Sequence, residues 1–355
     1  IYADYFAQLL AQDRVYPCFC TETQLKLVRK QQLNAGQPPR YPGTCARLSA
    51  AQAHTRLAQG QAATLRFRVP ETGAPHFVDQ VHGEQRFAHA EIGDFIIRRA
   101  DGSAAFFFSN AVDDALMAVT HVLRGVDHLS NTPRQLLILQ ALGLPLPSYG
   151  HLALISGADG APLSKRNGSL SVRELQAQGY LPLAVHNYLA RLGHHYPTEQ
   201  YMDLDGLAQG FALTQLQRAP ARFDAVQLLH WQREAVQQAP VEVVSAWLEP
   251  SVSDPALRLR WAHYLRPNSD FPAQAQQWAT RLYHGQLQIS AEAQAVLTAT
   301  TGDYWQAALQ AQEQHPTDYQ AFMAVLKNLT ARKGKSLFAP LRAALTGELA
   351  GPELA

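Results

Sequence analysis

The chain has 355 residues, more than one hydrophobic core usually organises, so roughly two to four domains are expected and a single small module is excluded. Apolar residues make up 47% of it and charged ones 17%, with five Trp, thirteen Tyr and fourteen Phe, a globular composition that excludes intrinsic disorder. Thirty Lys plus Arg against twenty-nine Asp plus Glu leave a formal charge of +1, so a polyanionic partner must be met by local patches, and histone-like or basic-tail readings drop out.

Residues 1–12 read as an amphipathic helix that begins with no cap, no Pro and no lead-in. Between residues 15 and 93 lie all three cysteines, Cys18, Cys20 and Cys45, a Pro/Gly turn cluster over 37–43 and a strand over 65–69. In that strand Leu65, Phe67 and Val69 alternate with Arg66 and Arg68, which predicts one core face and one cationic face. Next, 94–99 and 104–108 flank Ala100-Asp101-Gly102-Ser103, a hairpin signal with a Gly-containing turn. A helix is expected at 112–117, an apolar strand at 120–123, a helix opened by Thr132 and Pro133 and closed by Gly143, and a strand at 151–155. Strands alternating with helices predict parallel crossovers and a doubly wound α/β sheet. A polar loop leaves the last strand at its carboxyl end, where ligands of such sheets bind. Behind it, Ser171 and Glu174 form a capping box, and Pro182 with Gly193 brackets another helix. From about residue 198 onward β-branched runs vanish and Ala, Gln and Leu rise, so the remainder is expected to be mostly helical.

No run approaches about eighteen uninterrupted apolar residues, and the opening IYADYFAQLL lacks a basic flank and cleavage site, so a soluble, cytoplasmic protein with no membrane partner is expected. An odd cysteine count confined to the first forty-five residues argues against a disulfide framework and towards a metal or free thiols.

The segment richest in chemistry is LSKRNGS, Leu163 to Ser169. Lys165 and Arg166 sit among Ser164, Gly168 and Ser169, donors that can approach phosphates in a Gly-bounded loop beyond a strand end. Such a loop can stabilise charge developing on a leaving pyrophosphate while a carboxylate attacks an α-phosphate.

Over residues 94–172 the order is hairpin, VDD helix, a strand ending in Arg124, DHLSNTPRQ, a strand beginning with His151, then the lysine loop. This stretch closely resembles bacterial glutamyl-tRNA synthetases, enzymes of class I. The likeness extends upstream through YPCFC and PPRYPGTC and downstream through GYLPLAVHNYLARLG, FDAVQLLHW and LFAPLRAALTGELAGPEL, so that it covers essentially the whole chain.

The resemblance implies an α/β fold, the second half of a class I Rossmann-type nucleotide-binding domain with an inserted α+β acceptor-binding domain, followed by an all-α carboxyl-terminal region. Its implied boundaries are 1–14 for the end of the first half of the nucleotide-binding fold and 15–93 for the inserted domain. The second half of the catalytic fold follows at 94–160, the lysine loop and stem-contact helices at 161–235, and the anticodon-binding helices at 236–355. The implied activity is ATP-dependent activation of L-glutamate to glutamyl adenylate, with Mg²⁺, and transfer to tRNA(Glu) by a monomer.

Carried over position by position, Lys165, Ser164 and Arg166 form the catalytic loop, and Asp127, Leu163 and Lys165 the ATP site. Asn110, Arg124 and Phe106 contact glutamate, with Phe106 standing where the family usually has Tyr. Asn110 also suits a helix cap, and His128 and His151 read as supporting rather than catalytic residues. Cys18, Cys20 and Cys45 match a family zinc site; the position of its usual histidine is Arg47 here, so the fourth ligand is expected to be Tyr41, the position used in a related synthetase, or a water. Two cationic segments suit an extended RNA: six Lys or Arg with one acid between Arg14 and Arg47, and five with no acid between Ala321 and Gly347. The resemblance implies that the first touches the acceptor end and that the helical region reads the anticodon.

An amino-terminal His-x-Gly-His segment of the family is nowhere in the sequence, so the chain is expected to be a fragment, inactive without that part. Two further readings remain: from another class, a non-catalytic tRNA-binding or regulatory protein; and, disfavoured by length, a related enzyme that glutamylates a modified tRNA base, whose family lacks the long helical carboxyl-terminal region.

Overall fold

The computed structural model describes residues 1–157, 159–163 and 171–354, and they form two compact units. The first holds Ile1–Leu163, Leu192–Pro197 and Gly210–Phe223. Its elements are α1 (Tyr2–Ala11), β1 (Val15–Cys18), α2 (Glu22–Asn34), α3 (Ala50–Ala58), β2 (Thr64–Phe67), β3 (His76–Asp79), β4 (Gly83–Arg86), α4 (His89–Ile92) and β5 (Phe95–Arg98). They continue with α5 (Phe106–Leu116), β6 (His121–Gly125), α6 (Thr132–Leu142), β7 (Ser148–Leu152), β8 (Ile155–Ser156) and β9 (Ala221–Arg222).

Two sheets organise this unit. Antiparallel β1, β2 and β5 lie in that order, and their inward Val15, Leu65, Phe67, Phe95 and Ile97 share one core with Phe6 and Leu9 of α1, Phe108 and Val112 of α5, and Ile138 and Leu139 of α6. The second sheet has the order β4-β3-β7-β6; β3 and β4 form an antiparallel hairpin, whereas β7 runs parallel to both its neighbours. The β6-α6-β7 passage is thus the expected parallel crossover, and its helix ends on Gly143 in the left-handed conformation that glycine adopts without strain.

Several local expectations need correction. The hairpin over 94–108 is reduced to β5 and one Arg98↔Ala104 bridge, because α5 begins at Phe106. Phe108, Ala111 and Val112 are fully buried at spacings of three and four, the helical period, so the Phe run winds rather than extends. Phe106 therefore stands at the first turn of a helix, and Asn110 lies in that helix's second turn instead of capping it. Arg66 is not on a solvent face: it is 5% exposed. The strand expected at 151–155 is split into β7 and the short β8.

The second unit, made of the described parts of 164–191, Thr198–Gln209 and 224–355, is helical as its composition predicts. It runs from α7 (Val172–Gln178), α8 (Pro182–Leu192), α9 (Leu204–Gln209) and α10 (Ala225–Gln238) to α11 (Val241–Trp247), α12 (Pro255–Leu265) and α13 (Pro272–Leu282). It ends with α14 (Ala291–Ala299), α15 (Gly302–Gln314), α16 (Tyr319–Thr330) and α17 (Lys335–Thr346). The capping box of α7 is formed as expected, with Ser171 Oγ accepting from Glu174 N. No helix among the described residues is long and apolar enough to cross a membrane.

Candidate active site

Strand register brings the polar residues of the second sheet into a row. Arg124 of β6 pairs directly with His151 of β7, and Asp79 at the end of β3 lies on the other side of β7, opposite Tyr149. Residues two apart on a strand share a face, so Tyr149 and His151 point the same way. All of this sits towards the carboxyl ends of β6 and β7, the end at which parallel sheets bind ligands. Glycines are required by close neighbours at this end of the sheet: on the opposite face a Cβ on Gly150 would come within 2.7 Å of Leu123 Cδ2, and one on Gly125 would run into the Asp127 carboxylate.

Arg124 is half-buried, and three of its five hydrogens are engaged. Nε donates to His151 Nε2 at 3.1 Å, and Nη2 donates to Thr132 Oγ1 at 2.8 Å and to Gln135 Oε1 at 2.6 Å. Nη1 has no hydrogen-bond partner among the described residues. Thr132 and Gln135 come from the first turn of α6. Gln135 passes the contact on, its Nε2 donating to Asn110 Oδ1 on α5. Two residues expected to contact one substrate, Asn110 and Arg124, are therefore joined through a single buried amide.

The ring of Tyr149 lies 5.3 Å under the Arg124 guanidinium, and its hydroxyl is buried with no hydrogen-bond partner among the described residues. Burial pushes the Tyr149 phenol up to about 12, so it stays protonated. Burial also lowers the Arg124 pKa, partly offset by the carboxylates of Asp114, Asp127 and Asp79 nearby; a guanidinium stays charged in proteins. Asp127 stands in the 3₁₀ turn after β6 with its carboxylate exposed, 3.8 Å from His128 Nε2, and the His128 ring in turn lies 5.8 Å from that of Phe106. An exposed carboxylate one turn past the arginine suits hydroxyl donors of a ribose.

The root of the lysine loop is well defined. Leu163 N donates to Ile155 O at 2.8 Å and Gly157 N to Ala161 O at 2.8 Å, so the chain folds back on β8 before residue 164. Ser164, Lys165 and Arg166 lie outside the described residues.

The sequence points to Asn110, Arg124, Phe106 and Asp127 but not to the residues that hold two of them: Thr132 and Gln135, which bond Arg124 and, through Gln135, Asn110, and Asp79 behind His151. Asp79 carries a faint signal, an acid ending an alternating strand; Gln135 sits in an otherwise apolar helix run, QLLILQ, where a buried amide needs a partner.

A second cluster lies at the end of β1. The sulfurs of Cys18, Cys20 and Cys45 are all within 4.8 Å of one another, with Cys20 Sγ and Cys45 Sγ 3.7 Å apart. Tyr41 Oη is 3.4 Å from Cys18 Sγ and 3.6 Å from Cys20 Sγ. Sulfurs at tetrahedral corners about 2.3 Å from zinc would be about 3.8 Å apart, so three thiolates and a phenolic oxygen at these separations fit one Zn²⁺. The burial of Arg66 has its reason here: Nε donates to Cys18 Sγ at 3.2 Å while the guanidinium lies 3.9 Å over the Tyr41 ring. Burial alone would raise the Cys18 thiol, but the Tyr41 and Arg66 hydrogen bonds outweigh it and bring its pKa down to about 7; burial carries Cys20 up to about 11.

Between this cluster and α5 runs a cleft of about 1300 Å³, lined by Arg29, Arg40, Arg66, Arg99 and Arg134 with Phe106 at one wall. In the helical unit the cations of 321–347 divide. Arg332 donates to Thr301 Oγ1 and Arg342 to Pro352 O, whereas Lys327, Lys333 and Lys335 are exposed.

Comparison with known proteins identifies the family. Residues 1–230 match the family of tRNA synthetases class I (E and Q), catalytic domain. The chain is 54% identical along its whole length to glutamate–tRNA ligase 2 of Nitrosococcus oceani, covering 76% of that protein, and 52% identical to glutamate–tRNA ligase 1 of Halorhodospira halophila, covering 74%. Its fold matches the crystal structure of a glutamate tRNA ligase from Elizabethkingia meningosepticum with a TM-score of 0.86 at 21% identity, over 99% of this chain and 78% of that one. A chain matched end to end by such relatives, with a class I catalytic domain over its first 230 residues, belongs to the glutamate–tRNA ligase family of class I aminoacyl-tRNA synthetases.

Proposed function

We propose that this protein activates L-glutamate with ATP and passes the glutamyl group to tRNA(Glu). The observation that carries the reading is the Arg124 fork, with three hydrogens tied to His151, Thr132 and Gln135 and its Nη1 edge left over for a carboxylate, and Asn110 joined to it through Gln135. Arg124, Asn110 and Phe106 bind glutamate; Phe106 offers an apolar wall without a hydroxyl. Asp127 and Leu163 bound the ATP site, and ATP carries Mg²⁺. Lys165, with Ser164 and Arg166, meets the triphosphate and stabilises the charge that develops as the glutamate carboxylate attacks the α-phosphate and pyrophosphate leaves. Residues 15–93 take the acceptor end, where the arginine-lined cleft offers phosphate contacts, and the exposed Lys327, Lys333 and Lys335 meet another part of the RNA. The protein acts as a monomer in the cytoplasm.

In the protein expressed from its complete reading frame, Arg124→Ala should raise the Michaelis constant for glutamate by roughly ten- to a hundredfold, as expected when a hydrogen-bonded charge is lost, and leave that for ATP in place. Glutamate-dependent exchange of pyrophosphate into ATP, measured with tRNA present, reads both constants. A change confined to ATP would place Arg124 elsewhere.

Cys18, Cys20, Cys45 and Tyr41 hold one structural Zn²⁺, which ties β1 to the Cys45 turn. Elemental analysis should find about one zinc per chain, lost in Cys45→Ser. Metal-free wild-type protein with three reactive thiols would contradict the site.

A further inference from the structure

A guanidinium presents five hydrogens in one plane, and the roll of that plane decides which of them a ligand meets. In Arg124 the roll is set from behind. Its Nε–H can only donate, so His151 Nε2, 3.1 Å away, must accept. The single ring proton is then on Nδ1, which donates to Asp79 Oδ2 at 2.6 Å. Both side chains of this pair are 0% exposed. Asp79 is itself fixed, its Oδ1 accepting from Val81 N at 2.9 Å and His82 N at 2.8 Å. Thr132 Oγ1 braces the junction, 2.8 Å from Arg124 Nη2 and 3.1 Å from His151 Nε2.

We propose that Asp79 and His151 are positioning residues for Arg124, holding an imidazole lone pair against its Nε–H and so aiming the Nη1 edge at the carboxylate of the bound amino acid. The proposal rests on the reading of Arg124 as a substrate-binding residue. Neither Asp79 nor His151 touches substrate. A buried acid and imidazole are a costly way to fill an interior that apolar side chains would pack as well, so their use lies in the direction they impose. The ring is held neutral: burial lowers the His151 pKa and the Arg124 charge lowers it further, against the opposing pull of Asp79. A doubly protonated ring would set N–H against N–H at Arg124.

Two kinds of measurement test this. In the wild-type protein, ¹⁵N spectra of the histidine rings should show His151 protonated at Nδ1 and bare at Nε2; a proton on Nε2 overturns the proposal. For kinetics, Asp79→Asn is nearly isosteric, but its amide can donate to Nδ1, which moves the ring proton to Nε2 and against Arg124. The Michaelis constant for glutamate should rise roughly tenfold or more while that for ATP stays put. His151→Leu should match it, and His151→Gln, whose amide oxygen can replace the Nε2 lone pair, should recover most of the loss. If Asp79→Asn does not fold, the two His151 variants carry the same judgement, since both fill the imidazole space. Wild-type glutamate constants in Asp79→Asn and His151→Leu, alongside a raised one in Arg124→Ala, would refute the positioning role alone. An unchanged constant in Arg124→Ala would remove the reading beneath it and the proposal with it.

Discussion

Lys165→Ala should slow glutamate-dependent pyrophosphate exchange by about a hundred- to a thousandfold and barely move the Michaelis constant for glutamate. A donor aimed at charge that exists only in the transition state contributes to the rate of the chemical step and little to ground-state binding. The chain leading to it is anchored, since Leu163 N and Ile155 O, 2.8 Å apart, pin the segment to β8, and Lys165 follows two residues later. In the proposed role the ammonium would act as a point charge, so Lys165→Arg should restore part of the rate. Equal losses in the glutamate constant and the rate would mean that Lys165 binds substrate instead.

Phe108→Ala should cost about 3–5 kcal/mol of stability, the usual range for removing a buried aromatic. Phe108 is fully buried at the centre of the first unit's core, its ring stacked on Phe6 at 4.3 Å and edge-on to Tyr2 at 5.8 Å. It joins α1 to α5, the helix that carries Asn110, so the cavity would loosen the substrate side as well as the fold. Leu309→Ala is the control: that leucine is 65% exposed and its loss should shift the denaturant midpoint little. Similar shifts for the two variants would contradict the assigned core.

Legibility in the sequence follows the range of the interactions. Features fixed by near neighbours along the chain can be read directly: the Ser171–Glu174 capping box, the helix from Thr132 to its Gly143 cap, the onset of α8 at Pro182. The Phe106-Phe107-Phe108 run reads as strand because three adjacent aromatics fit either period, and only the partner surface of α1 and β5 selects the helix. Arg66 falls on the expected cationic face because alternation says which side a residue takes, not what covers that side; Tyr41 and Cys18, brought in from distant turns, cover it. The same limit hides Asp79, seventy-two residues from His151. Arg124 and Asn110 stand out by resemblance, but the Gln135 amide that joins them belongs to tertiary structure.

Charging of tRNA with labelled glutamate, by the protein expressed from its complete reading frame, bears most directly on the proposed activity. Glutamyl-tRNA should form on tRNA(Glu), depend on ATP and be strongly diminished in Arg124→Ala and Lys165→Ala. Tight tRNA binding with no acylation under any amino acid, or acylation indifferent to both substitutions, would contradict it.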